Sequence, residues 1–148
     1  MKAVFLSLGA LLLGAVLALA QADGSKARKA ADSRFDYAEL AKAPEKARSR
    51  RNPLAGEETA VAGGKKLFEQ HCAACHGLNG EGGKKAPSLL VPEVQDATPG
   101  ALFWVLTNGV VRRGMPVWSK LPEAQRWQMV SYLETLKTSP PSAGTAAK

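Results

Sequence analysis

His71-Cys72-Ala73-Ala74-Cys75-His76-Gly77 decides how this chain is read. It contains the pattern C-x-x-C-H, the signature of covalent haem attachment. Two thiols three positions apart can reach the two vinyl groups of one porphyrin and form thioethers. The next residue, His76, then sets its imidazole under the iron as the proximal ligand. Both cysteines of the chain are used up in this way. Other uses of the pair fit less well. A redox dithiol belongs in a strand–helix–strand framework, and none surrounds it. A zinc site needs four ligands, whereas the chain offers two Cys and two His in one tight cluster.

A low-spin electron-transfer haem needs a sixth ligand. Past the N-terminal apolar run, the thioethers are Met115 and Met129. Met115 sits in Arg112-Arg113-Gly114-Met115-Pro116, a loop bounded by Gly and Pro that can bring sulfur to the distal face, and it is the expected distal ligand. Met129 lies inside a helical stretch and is expected to pack in the core. His71 is tied to the backbone that holds Cys72, which limits its reach to the iron, and it is expected to be an exposed side chain.

Outward from the motif, the chain divides into four parts. In residues 1–20, Lys2 precedes an uncharged, leucine-rich run that closes with Ala18-Leu19-Ala20. This is the layout of a secretory signal peptide. The alternative is an uncleaved membrane anchor, because the apolar run could just span a bilayer. Residues 21–58 carry nine Lys/Arg and seven Asp/Glu, and their apolar residues are mostly Ala. Such a stretch buries little and reads as a polar, partly disordered linker or extension. Its basic cluster Arg48, Arg50, Arg51 reads as a solvated linker end rather than a patch. Residues 59–139 hold all three Trp and therefore the core, and 140–148 read as a disordered tail. A core domain of that size is small enough to need a cofactor or cross-link to hold it.

The net charge of +7 is spread thinly over these parts, without a basic stripe. Export and the absence of a binding motif argue against nucleic acid. There is no phosphate-binding or dinucleotide loop and no free nucleophile with a base. The excess charge suits steering toward an acidic redox partner.

Three helices are expected in the core domain. Thr59 is the expected N-cap of the first, with Gly64 and Phe68 on one face, although Gly63-Gly64 could instead mark a late start. Thr98-Pro99 begins the second and Gly109 suits its end. Pro122-Glu123 opens the third, along which Trp127, Val130, Leu133 and Leu136 recur.

Taken together, these pieces resemble a class I c-type cytochrome, of the small exported bacterial monohaem kind. The matching segments are Gly64 to Phe68, Cys72 to His76, Ala86-Pro87-Ser88-Leu89, Gly114-Met115-Pro116 and Trp127 to Tyr132, in the family's order. The resemblance covers about Thr59 to Lys137 and leaves out 21–58. It implies an all-α fold of three to five helices wrapped around one covalently attached haem c, with a low-complexity N-terminal extension. It implies that Gly64 and Phe68 meet Tyr132 where the first and last helices cross. It implies that the Pro87 carbonyl accepts the His76 Nδ1–H. Trp104 is placed either at the haem edge or in the core. Arg112 and Arg113 either pair with a haem propionate or dock a partner.

The function these features imply is one-electron transfer with both axial sites filled, not enzymatic turnover. The implied partners are redox proteins: a periplasmic dehydrogenase or quinol-oxidising complex on one side and a terminal acceptor or oxidase on the other. Two alternatives stand beside it: a haem enzyme or gas sensor with a labile sixth ligand, and a cytochrome subunit of a larger complex. The implied location is periplasmic or exported, with membrane attachment only if the leader is retained.

Overall fold

Residues 37–136 are described in a computed structural model, and they are helical, with no strand among them. In chain order the helices are α1 (Ala38–Ala41), α2 (Glu45–Arg48), α3 (Glu58–His71), α4 (Ala73–His76), α5 (Pro92–Gln95), α6 (Pro99–Asn108) and α7 (Glu123–Thr135), with a 3-10 turn at Val111–Arg113. The all-α class is as expected. Seven helices exceed the expected three to five because α1, α2, α4 and α5 are single turns of four residues. The leader at 1–20 and the tail at 140–148 lie outside the described residues.

The long helices begin and end for local reasons. At α6, the Thr98 hydroxyl accepts from the Ala101 N–H at 3.2 Å, and Pro99 opens the first turn with its φ already helical. Gly109 closes it at φ 66°. Pro122 precedes α7, and Glu123 sets a carboxylate at its positive end. The start of α3 differs from expectation. The helix begins at Glu58 with Glu57 as N-cap, and no side chain caps it. The preceding turn, Ala55 N–H to Asn52 O and Glu57 N–H to Leu54 O, delivers the chain into the helix before Thr59 is reached. Gly63 and Gly64 lie well inside it, so the late-start reading does not hold.

Helices α3 and α7 cross at Gly64. A Cβ built on Gly64 would lie 1.9 Å from the Gln128 carbonyl oxygen and 3.0 Å from Tyr132 Cβ. Only hydrogen fits there, which offsets the cost of about 1 kcal/mol that glycine carries in a helix. One turn later, Phe68 meets Tyr132 with ring centroids 5.2 Å apart and planes tilted by 54°. Full burial of a ring such as Phe68 contributes about 1.5–3 kcal/mol. Phe68, Tyr132, Leu133 and Leu136 form one apolar cluster; Val94, Leu102, Phe103, Leu106, Trp127, Met129 and Val130 form the other. Met129 is core, as expected, at 1% exposure.

Residues 37–58, the described part of the expected linker or extension at 21–58, pack against the domain. Ala43 is buried, α1 and α2 pack against α6, and a Cβ on Gly100 of α6 would fall 2.0 Å from the Ala47 carbonyl oxygen. Buried Asn52 donates to Ser131 Oγ on α7 at 2.9 Å, and its own Oδ1 accepts the Leu54 N–H at 3.0 Å. Arg50 is not a free linker charge. Its guanidinium lies 4.6 Å from the Phe103 ring centre and 5.1 Å from that of Trp127, while it donates to Glu123 Oε1 at 2.5 Å. The physical reason is that small alanines suffice when a helix already supplies the surface they dock on.

The crossing yields a sharp contrast between neighbouring glycines. Gly64→Ala should destabilise the haem-loaded protein by about 2–3 kcal/mol through overpacking against backbone that cannot move aside. A Cβ at Gly63 meets only the flexible Gln128 side chain, at 3.1–3.2 Å. Gly63→Ala should therefore be neutral or slightly stabilising. Urea unfolding of the two variants checks this, and equal midpoints would mean that the helices do not approach so closely.

Candidate haem site

The attachment turn grows directly out of α3. Cys72 ends α3 and begins α4. Its N–H bonds the Phe68 carbonyl at 2.8 Å, so its position follows from the crossing four residues earlier. Cys75 N–H and His76 N–H both reach back to the Cys72 carbonyl, at 3.0 and 2.9 Å. Cys72, Cys75 and His76 are thus i, i+3 and i+4 on a single helical turn and share one face. Gly77, at φ 82°, ends the turn.

The two cysteines are not paired with each other; Cys75 is exposed and Cys72 borders both apolar clusters. Burial pushes the Cys72 thiol up to about 11, and neighbouring Cys75 adds to the effect. A sulfur in this setting is best uncharged, which a thioether is and a thiolate is not. The two thiols and the imidazole on one face are the donor set that a covalent haem requires.

His76 is oriented from the loop that follows. Its Nδ1 lies 2.9 Å from the Pro87 carbonyl oxygen. That oxygen can only accept, so Nδ1 carries the proton and Nε2 keeps its lone pair. Burial lowers the imidazole's pKa below its ordinary value, partly opposed by the Pro87 bond, so the ring is neutral at neutral pH. The loop is closed by its own backbone: Gly82 N–H to His76 O at 2.7 Å, Gly83 N–H to Ala86 O at 2.9 Å and Leu89 N–H to Gly80 O at 2.7 Å. Gly82 adopts φ 76°, and a Cβ there would lie 2.4 Å from the Ser88 nitrogen and 2.7 Å from the Pro87 carbonyl carbon. A glycine at 82 therefore lets the loop lie against the backbone that presents the acceptor.

Met115 packs against the same apolar cluster that Cys72 borders. Its loop folds back through a two-bond antiparallel bridge, Val110 N–H to Met115 O at 3.0 Å and Met115 N–H to Val110 O at 3.2 Å. Gly114, at φ 87°, makes the reversal. Beyond it, the Trp118 N–H bonds the Leu106 carbonyl at 3.1 Å, and the Trp118 ring lies 5.0 Å from that of His71. His71 is exposed as expected, yet this contact links the methionine loop to the attachment turn. Trp118 was not singled out from sequence; an aromatic three residues past Met115 was the available signal.

Of the remaining candidates, Trp104 is half-buried, while its neighbour Phe103 is core. Arg112 and Arg113 are exposed in the 3-10 turn. Arg112 donates to Glu39 Oε1 on α1, an ion-pair partner in the protein itself. The structure thus brings Cys72, Cys75, His76 and Pro87 together, sets Met115 on the shared cluster, and ties Arg112 to the N-terminal extension.

This fold and donor set define a haem-binding domain of the c type. Residues 59–133 match the family described as cytochrome c oxidase, cbb3-type, subunit III. The chain is 33% identical over 90 residues to a cytochrome c550 of Pseudomonas aeruginosa, covering 58% of this chain and 62% of that protein. It is 27% identical over 86 residues to a cytochrome bc1 complex cytochrome c subunit of Corynebacterium diphtheriae, covering 57% of this chain and 30% of that protein. The chain thus spans less than two thirds of either relative's length. No solved structure matches it. The chain belongs to this family of class I c-type cytochrome domains, and its cofactor is covalent haem c.

The acceptor loop can be probed without touching a ligand. Gly82→Ala forces a side chain into a left-handed backbone and against Ser88, at an expected cost of about 1–3 kcal/mol. A Cβ on Gly83 meets nothing within 4 Å, so Gly83→Ala should leave stability unchanged. Thermal unfolding of the haem-loaded variants, followed in the haem absorbance, distinguishes them. Equal midpoints would show that the loop does not press on Ser88.

Proposed function

We propose that this protein is a one-electron carrier with a single haem c in His/Met ligation. The observation that carries the reading is the His76 ring, locked through Nδ1 on the Pro87 carbonyl, with Cys72 and Cys75 on the same helical turn. When bound, the haem supplies an iron that takes up and gives back one electron. Cys72 and Cys75 would hold it covalently, and His76 would offer Nε2 as the proximal donor. The Pro87 carbonyl keeps that imidazole from rotating and makes it more basic. Met115 would supply the sixth donor, a thioether that favours the reduced iron and raises the potential. With His76 and Met115 both committed to the iron, no position would be left open to a substrate, which favours carriage over enzymatic turnover.

The partners that suit such a carrier are exported redox proteins: a dehydrogenase or quinol-oxidising complex as donor and a terminal acceptor or oxidase as recipient. A periplasmic location follows if residues 1–20 act as a leader; retention of that segment would instead tie the protein to the membrane. Among the described residues, no helix is long and apolar enough to cross a membrane. A second reading, a cytochrome subunit held in a larger complex, draws support from the family's description and from the relative that is a bc1 complex subunit. Gel filtration of haem-stained, detergent-solubilised extract separates the two, since a carrier elutes at monomer size and a subunit does not.

Met115→Ala tests the ligand assignment. The variant should lose the methionine–iron charge-transfer band, fall in reduction potential, and bind carbon monoxide when reduced. The parent should not bind carbon monoxide. A parent that does bind it would favour the gas-sensing or enzymatic alternative. An unchanged spectrum and potential in the variant would refute Met115 as ligand.

A further inference from the structure

Helix α1, in the extension outside the family match, touches the loops on both sides of the site. The Tyr37 hydroxyl, at its N-cap, donates to the Ser88 carbonyl at 3.1 Å. Ser88 follows Pro87, the acceptor for His76. Glu39, two residues on from Tyr37, accepts from Arg112, three residues before Met115, and also from Lys42 Nζ at 2.8 Å. The platform that presents these groups is fixed: Tyr37 and Leu40 pack against the larger apolar cluster, and Ala43 is 2% exposed. The Glu39 side chain is itself only 17% exposed. Its hydrogen bonds with Lys42 and Arg112 hold its carboxyl below the usual carboxylate range, so it is charged at neutral pH. An acceptor already held in place loses little entropy when it pairs, unlike the usual surface ion pair.

The methionine loop needs such an anchor. Gly109 and Gly114 bend it with positive φ, its internal bridge fixes its shape, and the Trp118 N–H on the Leu106 carbonyl seats only the side beyond Met115. We propose that Tyr37–Lys42 is a strap that holds the two ligand-bearing loops against the core, with Tyr37 and Glu39 as positioning residues and Arg112 as the strap's hold on the methionine loop. Arg112 then acts inside the protein rather than on a haem propionate or a partner. The strap rests on the reading of Met115 as sixth ligand. Loosening it makes the sulfur easier to displace without removing any ligand.

The experiment is a titration of the ferric, haem-loaded full chain with imidazole, which binds iron only where the sulfur has left. Glu39→Gln and Arg112→Gln should each bind imidazole about two- to five-fold more tightly, the range expected for one ordered surface ion pair. The double variant should add little to either single one, as for two residues that act through one contact. The charge swap Glu39→Arg with Arg112→Glu should restore most of the parent affinity. Tyr37→Phe should shift affinity in the same direction by a smaller factor. Urea midpoints measured alongside separate loop release from general loosening. Unchanged imidazole affinity in the two single variants, or loss of stability without a change in affinity, overturns the strap. Fully additive effects do so as well, because the residues then act apart. Met115→Ala serves as the reference: if it binds imidazole no more tightly than the parent, the ligand reading falls and the strap with it. If it binds far more tightly while Glu39→Gln does not, only the strap falls.

Discussion

The structure depends on how closely α3 and α7 approach at Gly64. With the Gln128 carbonyl standing where a side chain would be, the axes come near enough for the Phe68 and Tyr132 rings to meet, tilted to each other, one turn later. That contact fixes the last turn of α3. The Cys72 N–H is bonded to the Phe68 carbonyl, and the carbonyl of Cys72 in turn receives the N–H groups of Cys75 and His76. The position of the donor set thus follows, bond by bond, from one missing methyl group. Few buried side chains of a small domain could compensate if this crossing opened.

The two sides of the site are built differently. His76 and the Pro87 carbonyl that orients it are 11 residues apart, and backbone bonds close the loop between them. The loop of Met115, the proposed second ligand, makes its own bridge, the Trp118 bond to Leu106, and contacts whose partners lie far away in sequence, such as Arg112 with Glu39 at a separation of 73 residues. Local bonds survive small changes elsewhere in the molecule. Tertiary ones respond to them. Variation in potential among substituted forms should therefore arise mainly on the methionine side.

Sequence pattern revealed what depends on short-range chemistry. The turn Cys72 to His76 was legible because i, i+3 and i+4 on a helix share a face whatever surrounds them. The ends of α6 were legible from Thr98, Pro99 and Gly109, whose preferences are backbone effects. The pairing of Gly64 and Phe68 with Tyr132, and that of His76 with Pro87, came through family resemblance and not through periodicity. The start of α3 was misplaced because Thr59 is a good cap by type, yet the turn from Asn52 to Glu57 had already set the direction of the chain.

Residues 37–58, the described part of the stretch read from sequence as a polar linker or extension, pack on the domain for one physical reason. Low apolar content argues against folding only when a segment must fold alone. Here Ala43 and Ala47 need bury little, because α6 is already present and Gly100 lets the Ala47 carbonyl lie on its backbone. Asn52 finds Ser131 at a separation of 79 residues, a partner no local window contains. Arg50 looked like a solvated charge, yet its guanidinium lies over the stacked Phe103 and Trp127 rings, 4.1 Å apart, and is paired with Glu123. An arginine can serve core and surface at once, since its flat face packs on rings while its edge still donates. Charge counts along a sequence cannot register that, and an extension counted only by its charges will be taken for solvent-exposed chain even when it braces the domain.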